Sequence, residues 1–282
     1  MKRAGLVSVV ACVVALATAA THSAQEYPNA IVPTTTIKLF NGTSLANFDT
    51  WLVDDHASDP LRVFTVVDQI DGGPAIRISG EKWGGLATKE AYRNYKFVAE
   101  YRWGGATWGN RKAATRDSGV LLHSQGRLGN TARDFNGPWM RSVEFQIIEG
   151  GVGDLLPVGG FAEDGTQIRP SVKVLTRKDR DGENVYDPNG TVNTFTGGRI
   201  NWWGRSEDWA DRIDFRGPKD IETAGMGWTR IEAVADGSRF TFSVNGQVVN
   251  AASDSSFTSG KIMIQSEGAE IYFRRLDLEP LR

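Results

Sequence analysis

The amino-acid sequence predicts an all-β protein, built as an antiparallel sandwich or barrel. Three observations predict this class. Apolar and polar residues alternate with a period of two over many short segments, Gly, Asn and Asp separate these segments, and no helical periodicity recurs over more than about two turns. The 282-residue chain is 40% hydrophobic and 23% charged, as in an ordinary globular protein, and its length suffices for one large β domain.

The first residues have the pattern of a secretory signal. A short basic start precedes the apolar stretch Ala4 to Ala20, and the small residues that follow offer cleavage sites. We therefore expect a signal peptide over residues 1–24 and a secreted or periplasmic protein without stable membrane insertion. The sequence "VVAC" leaves lipoprotein anchoring at Cys12 as the alternative.

Cysteine content and charge exclude several classes of function. Cys12 is the only cysteine, so a chain without its signal has no disulfide, no thiolate zinc ligand and no cysteine nucleophile. Without the signal, 30 basic residues stand against 34 acidic residues, and no basic patch with interleaved aromatic residues predicts nucleic acid as a partner. Residues 25–36 are predicted to form a polar tether, and residues 37–282 a single domain of unknown oligomeric state.

Several segments show the alternation clearly. In "YKFVAEYRW" the residues Phe97 and Tyr101 lie on one face, and in "RFTFSVNGQVV" Asn245-Gly246 predicts a hairpin turn. The segments "SVEFQII", "KIMIQSE" and "EIYFRRLDLEPL" are further strands. By contrast, residues 155–226 are less regular, and we expect them to form long connections across one mouth of the sandwich.

Polar side chains on these strands form the first candidate site. Alternation places Glu144 and Gln146 on one face of a strand. His123 would share that face, together with Glu100 and Arg102, if three successive strands are neighbours. Such a face suits acid–base catalysis. A solvated face with weak ion pairs explains the same pattern.

Two further segments add to this candidate site. Gln265 and Glu267 repeat the acid–amide spacing in reverse order, and Arg274 follows them in the chain. Arg274 either forms an ion pair with Glu267 or holds a substrate oxyanion. Arg116 and Asp117 begin "RDSGVLLH" and are candidates for substrate binding.

Glu149 and Asp154 lie where a strand meets the glycine-rich loop "EGGVGD". Two carboxylates beside a histidine offer oxygen and imidazole ligands to a divalent cation of the Ca or Mn type. No spacing in the chain resembles a dedicated zinc motif. The sequence therefore leaves the metal unknown.

Tryptophans in polar surroundings are candidates for contact with a sugar, because the apolar face of a pyranose packs on an aromatic ring. Four of the nine tryptophans belong to this set: Trp139, Trp202, Trp203 and Trp209. Trp228 begins a predicted strand, and we expect it in the core.

Five segments in order resemble the 3-keto-disaccharide hydrolase family: "IKLFNGTSLANFDTW", "NYKFVAEYRWG", "RDSGVLLH", "WMRSVEFQIIEGGVGD" and "GKIMIQSEGAEIYFRRLDLEPL". The resemblance extends from about Ile37 to Leu281. It implies a secreted bacterial jelly roll of the concanavalin A-like type, with long loops over one face. It also implies cleavage of glycosides that are already oxidised at C3 of the sugar ring.

A ketone at C3 acidifies the proton on C2, so a base can form an enolate that expels the substituent on C1 before water adds back. Such a reaction needs a base, an acid and an electrophile at the ketone oxygen. The resemblance implies that the acid and the base are among His123, Glu144 and Glu149. It implies that Arg274 or a bound cation stabilises the enolate. The sugar hydroxyls would be bound by Gln146, Gln265 and Glu267. The other candidates for substrate binding are Glu100, Arg102, Arg116, Asp117, Trp139, Asp154, Trp202 and Trp203.

Two other functions remain open from the sequence. Glu144 with a second acid fits an ordinary two-carboxylate glycosidase that acts on unoxidised glycosides. The same face without a catalyst fits a lectin-like, glycan-binding module. A binding module would depend on the exposed tryptophans rather than on Glu144.

Overall fold

The computed structural model describes residues 27–282, and the strands in this part of the chain confirm the all-β prediction. They are β1 (Ile37–Lys38), β2 (Phe48–Leu52), β3 (Phe64–Ile70), β4 (Gly73–Ile78), β5 (Gly84–Thr88), β6 (Tyr95–Thr107), β7 (Asp117–Gln125), β8 (Arg141–Ile148), β9 (Leu155–Val158), β10 (Gly160–Phe161), β11 (Gln167–Ile168), β12 (Val172–Lys178), β13 (Asn184–Tyr186), β14 (Thr191–Phe195), β15 (Thr229–Asp236), β16 (Arg239–Val244), β17 (Gln247–Ala252), β18 (Lys261–Ser266) and β19 (Ala269–Pro280). One turn of 3₁₀ helix, Gly109–Arg111, follows β6.

Two antiparallel sheets form the sandwich, which is a concanavalin A-like jelly roll. The first sheet has eight strands in the order β17-β16-β15-β6-β19-β4-β3, with β1 paired to the long β19. The second sheet has six strands in the order β2-β5-β18-β7-β8-β9. At the centre of the second sheet, β18 from near the carboxyl end pairs with β7, which pairs with the next strand in the chain, β8, and this topology brings the candidate residues together.

The core lies between the two sheets because alternate residues of each strand are apolar. Val143, Phe145 and Ile147 of β8 are fully buried there. The Phe145 ring stacks on Phe242 of β16 with ring centroids 4.4 Å apart, which is a direct contact between the sheets. Full burial of each such side chain contributes about 1.5–3 kcal/mol to folding.

Residues 155–226 contain more regular structure than the sequence predicts. They include β9, which joins the six-stranded sheet, a β10–β11 hairpin, and a small sheet in the order β13-β12-β14. The longest stretch of this segment without a named strand is residues 196–226. Five of the six strands in this segment have only two to five residues, and such short strands carry too few alternations for a period-two pattern to be recognised.

The amino-terminal predictions fall only partly within the described residues. The expected signal peptide over residues 1–24, Cys12 and the first two residues of the expected tether lie outside them. The rest of that segment, residues 27–36, packs on the domain: Tyr27 N donates to Ser259 Oγ at 3.2 Å, and Ile31 N donates to the Ala91 carbonyl at 2.8 Å. Over residues 27–282, no helix has the length and apolarity needed to cross a membrane.

Candidate active site

The floor of the candidate site is formed by three neighbouring strands of the six-stranded sheet. Ile264 of β18 pairs with Val120 of β7, and Gly119 of β7 pairs with Gln146 of β8. Gln265, Gly119 and Gln146 therefore form a row across the three strands. This register places the acid–amide segments of β8 and β18 close together.

Buried polar side chains project from this floor on the face turned away from the core. On β8, the core-facing residues alternate with Glu144 and Gln146, so these two point to the other face. We call the buried polar residues of this face the polar cluster; its members are Asp117, Glu144, Gln146, Gln265 and Glu267. Burial of three carboxyl groups in one place is costly and requires compensating groups.

Glu144 and Gln265 approach each other over Gly119. A Cβ at Gly119 would overlap Gln265 Oε1 and would lie 2.6 Å from Glu144 Oε1, so only glycine leaves room for both side chains. Gln265 lies close enough to Glu144 to favour its charged form. Both polar atoms of the Gln265 amide are nevertheless buried without a hydrogen bond of good geometry to any described residue. An unsatisfied buried amide of this kind is suited to a substrate hydroxyl.

Asp117 is held by an amide and by a guanidinium. Gln146 Nε2 donates to Asp117 Oδ1 at 2.5 Å, and Arg111 forms an ion pair with the same carboxylate. Arg111 comes from the 3₁₀ turn after β6, and its Nη2 is also 3.9 Å from Glu267 Oε1. Gly268 follows Glu267 with φ +81°, and the Arg111 side chain packs against it. These contacts fix the position of the Asp117 carboxylate.

A second arginine, Arg199, enters the cluster from the loop after β14. Its Nη1 is 3.1 Å from Oδ2 of the fully buried Asp154. Arg205 pairs with the same carboxylate, and Trp202 N donates to Asp154 Oδ1 at 2.7 Å. Asp154 thus positions Arg199, whose side chain is about one third exposed.

Burial raises the pKa of all three carboxyl groups of the polar cluster. The pKa of Glu144 rises to about 8 through burial and the charge of Asp117, against the opposing charge of Arg199. Burial raises the pKa of Asp117 to about 7, and Arg111 and Arg199 limit this rise. The pKa of Glu267 lies well above its usual range because of burial and of the charges of Asp117 and Glu144. These shifts favour protonated carboxyl groups in the cluster.

The same face is apolar beside the polar cluster. Its buried apolar residues are Trp51, Ala87, Leu121, Met140 and Met263. Trp139 packs against them and stacks on Trp83 with ring centroids 5.5 Å apart, and its Nε1 donates to the Gly84 carbonyl at 3.1 Å. Trp139 is partly exposed, and its contact with a sugar stays a prediction.

His123 does not lie on this face, so the sequence prediction is wrong on this point. A register shift interrupts the pairing of β7 with β8 after Leu122, and His123 has φ +49°. Its ring points into the core, with centroids 4.9 Å from Phe240 and 5.6 Å from Tyr95. Nδ1 donates to the Phe257 carbonyl at 3.1 Å, and burial lowers the pKa of His123 to about 4.

Glu149 and Arg116 are buried together in a structural ion pair outside the polar cluster. Glu149 Oε1 is 2.5 Å from Arg116 Nη1, and Glu149 Oε2 accepts from Arg116 N and Asp214 N at 2.8 and 3.1 Å. Arg116 Nη1 also pairs with Asp214 at 2.7 Å. The Glu149 carboxylate is therefore fully engaged in joining the end of β8 to the start of β7 and to a loop.

Glu100, Arg102 and Arg274 lie on the other sheet. The prediction that Glu100 and Arg102 share a face with Glu144 is therefore wrong, and so is the prediction that Arg274 lies beside Glu267. The three residues belong to β6 and β19, and their side chains lie on the outer face of the eight-stranded sheet. Arg274 Nε donates to Glu100 Oε2 at 2.6 Å, and its guanidinium lies 4.4 Å from the centroid of Trp228. Arg102 pairs with Asp71. Trp228 is thus a surface ring between arginines rather than a core residue.

The loop tryptophans occupy different environments. Trp202 is 1% exposed and forms part of the core, so it is not the exposed platform that the sequence predicted. Trp203 is partly exposed in a separate groove, where its Nε1 donates to the Val248 carbonyl at 2.8 Å. Trp209 is partly exposed beneath Arg205, with the guanidinium 4.4 Å from its ring centroid.

The donor set does not fit the predicted divalent cation. In the part of the chain that the structure describes, no group of three or more His, Asp and Glu side chains has the arrangement needed to hold a metal ion. His123, which the metal prediction required, is in the core.

Arg111 and Arg199 are functional candidates that sequence reasoning missed. Both come from irregular segments, where alternation assigns no face. The signal for them in the sequence is the group of acidic residues predicted on one face of the strands. Buried acids require cationic partners nearby, so this group predicts arginines or lysines from neighbouring segments.

Residues 35–279 of the chain match one protein family, that of the 3-keto-alpha-glucoside-1,2-lyase-like domain. This match confirms the family that the five sequence segments resemble. It indicates a carbohydrate-active protein of the glycosidase type. No curated protein matches the chain.

Several solved structures are similar at low sequence identity. A predicted glycosyl hydrolase from Parabacteroides distasonis ATCC 8503 is 14% identical with a TM-score of 0.47, covering 88% of this chain and 94% of that one. The carbohydrate-binding module CBM66 from Bacillus subtilis is 13% identical with a TM-score of 0.41, and the match covers 85% of this chain and 97% of that module. A Bacillus licheniformis β-glucanase is 9% identical with a TM-score of 0.35, covering 84% and 99%.

Proposed function

Because the chain belongs to the family of 3-keto-alpha-glucoside-1,2-lyase-like domains, we propose that its polar cluster cleaves glycosides oxidised at C3 of the sugar ring. The observation that carries the proposal is the pair of buried carboxyl groups Asp117 and Glu144. They share one face with Arg111 and Arg199, and burial has brought their pKa values near neutrality. Groups that titrate near the working pH are suited to proton transfer.

The reaction begins with removal of the proton on C2. The C–H electron pair forms a C2–C3 double bond, and the ketone oxygen takes the negative charge. The enolate then re-forms the ketone, a C1–C2 double bond appears, and the C1–O bond breaks as the leaving oxygen receives a proton. Water finally adds its hydroxyl to C1 and a proton to C2, which yields the free 3-keto sugar.

Asp117 is the base in this scheme, and Glu144 is the acid. Arg111 and Arg199 favour the charged form of Asp117, so its pKa of about 7 is the lower of the two. Glu144, with a pKa of about 8, keeps its proton at neutral pH and can give it to the leaving oxygen. Gln146 and Arg111 hold the Asp117 carboxylate in place for the attack on C2.

Arg199 is the proposed electrophile for the enolate oxygen. Its guanidinium is anchored by Asp154 and carries a permanent positive charge close to both proton-transfer groups. This assignment replaces Arg274, which lies on the opposite sheet. Gln265, with its unsatisfied amide, and protonated Glu267 are suited to hold the sugar hydroxyls.

The experiment that tests the proposal compares two aryl glucosides, one plain and one oxidised at C3. Release of the phenol is measured with the wild type and with Glu144→Gln, with and without a chelator. We expect turnover of the 3-keto substrate alone, reduced at least about a hundredfold in the variant. Glu100→Gln is the matched control, because Glu100 is a partly buried glutamate on the opposite sheet, and it should retain wild-type turnover.

The other outcomes identify the alternative functions. Turnover of the plain glucoside would indicate an ordinary two-carboxylate glycosidase. Absence of turnover with both substrates, while sugar binding persists, would indicate a lectin-like module. Loss of activity with chelator would show that a metal takes part. The first two outcomes contradict the proposal.

A further inference from the structure

A cavity remote from the polar cluster contains a buried arginine that has no carboxylate partner among the described residues 27–282. The cavity measures about 580 Å³ and is lined by residues that include Tyr27, Arg127, Phe135, Arg141 and Phe161. It lies beside the first residue of β8, whereas the polar cluster begins further along that strand. Neither the family description nor the proposed reaction assigns a role to it.

Arg141 is the central residue of this cavity. It is 3% exposed, and it forms no ion pair with any residue from 27 to 282. Its Nη1 donates to the Phe161 carbonyl at 2.8 Å, while its Nε is buried without a hydrogen-bond partner. Burial lowers the pKa of Arg141, which is the direction expected for a cation that lacks a neighbouring carboxylate.

A buried guanidinium is normally paired, because the cost of removing its charge from water is several kcal/mol. Every other buried arginine discussed above has a carboxylate partner; Arg116, for example, has two. Arg141 is therefore suited to an anion that does not belong to the described residues. A planar guanidinium is suited to a carboxylate, which it can bind with two parallel hydrogen bonds.

The rest of the lining indicates what carries that carboxylate. Phe135 and Phe161 are partly exposed and present apolar surface, as required for the face of a pyranose ring. Arg127 lies at the exposed mouth, with its guanidinium 5.0 Å from the Phe135 ring centroid. The exposed carboxylate of Glu163 also lines the mouth, where it can accept hydrogen bonds from sugar hydroxyls.

We propose that this cavity binds an acidic sugar of the uronic acid type, with the carboxylate on Arg141 and the ring between Phe135 and Phe161. The site is separate from the polar cluster and does not depend on the proposed reaction. The loop over residues 126–140 extends from one site towards the other, since Phe135 lines the cavity and Trp139 packs on the apolar residues beside the polar cluster. An acidic unit of a longer substrate can therefore be recognised away from the bond that is cleaved.

The test is calorimetric titration of the full chain with sodium glucuronate, with glucose and with acetate. We expect glucuronate to bind at least about tenfold more tightly than either glucose or acetate, because only glucuronate has both the ring and the carboxylate. Arg141→Gln, which retains a polar donor, should weaken glucuronate binding at least about tenfold. Arg199→Gln removes a cation from the polar cluster, and it should change the affinity for glucuronate by less than about twofold.

Folding of the variants is checked by thermal unfolding. Should Arg141→Gln fail to fold, Arg127→Gln at the exposed mouth should still weaken glucuronate binding about threefold. Equal binding of glucuronate and glucose, or a loss confined to Arg199→Gln, would overturn the proposal. Equal binding of glucuronate and acetate would overturn the sugar assignment.

Discussion

The Gln265 side chain extends directly over Gly119 of the neighbouring strand, so that a Cβ at Gly119 would overlap Gln265 Oε1. Glu144 reaches the same space from the other side. The Glu144 carboxyl group and the Gln265 amide are therefore brought together by the absence of a side chain at Gly119.

Replacement of Gly119 by alanine should remove activity without unfolding the protein. The methyl group must displace Glu144 and Gln265, both of which have flexible ends, so we expect at least a tenfold loss of kcat/KM. The melting temperature should fall by only a few degrees. Gly73→Ala is the control, because Gly73 has open space around it and lies in the other sheet. Full activity in Gly119→Ala would contradict the placement of the site.

The pH dependence of kcat/KM should be bell-shaped, with its maximum between about pH 7 and 8. Below pH 7 the base Asp117 becomes protonated, and above pH 8 the acid Glu144 loses its proton. Arg111 lowers the pKa of Asp117, so Arg111→Gln should move the acidic limb to higher pH. The profile is measured from pH 5 to 10 with a 3-keto aryl glucoside. A flat profile, or a limb that moves to lower pH in the variant, would refute the role of Asp117.

His123 should contribute to the pH dependence of stability rather than to catalysis. Its pKa is about 4 in the folded protein and about 6.5 in the unfolded chain, so the unfolded state binds the proton first as the pH falls. For this reason the free energy of unfolding should fall by about 3 kcal/mol as the pH is lowered from 6.5 to 4. His123→Leu should retain activity within about twofold at pH 7.5. Its free energy of unfolding, measured with urea, should fall less between pH 6.5 and pH 4 than that of the wild type. An identical decline in both proteins would count against burial of His123.

Glu149 should matter for folding. Glu149→Gln leaves Arg116 buried with only Asp214 as a charged partner, so the free energy of unfolding should fall by about 3 kcal/mol. Arg274→Gln breaks a half-exposed pair and should cost less than about 1 kcal/mol, with unchanged turnover. Urea denaturation of both variants provides the comparison. A large loss in Arg274→Gln with no loss in Glu149→Gln would reverse the interpretation of these two pairs.

Alternation in the sequence located the polar cluster but could not determine which strands are neighbours. It correctly placed Glu144 and Gln146 on one face, and the hydrogen-bond register then brought Gln265 beside them. Glu100 and Arg102 also alternate as expected, yet β6 belongs to the other sheet. Periodicity defines the faces of a strand, whereas sheet order depends on contacts between distant segments.

Two other residues show what local patterns omit. His123 follows a register shift in β7, and a single irregular residue reverses the side to which a side chain points. Arg199 comes from a loop, where no period exists, and its position depends on the buried Asp154. Both arise from tertiary packing that no short window of sequence contains.

The most direct test of the account is turnover of a 3-keto glycoside in D₂O, with deuterium at C2 of the released sugar measured by mass spectrometry and NMR. Free 3-keto sugar, incubated without the protein, corrects for spontaneous exchange. Elimination and rehydration predict one deuterium at C2 per turnover by the wild type, and Asp117→Asn should lose the incorporation and the turnover together. Complete turnover with C2 still carrying its original hydrogen would mean that the C1–O bond is cleaved without an enolate, and this result would contradict the proposed mechanism.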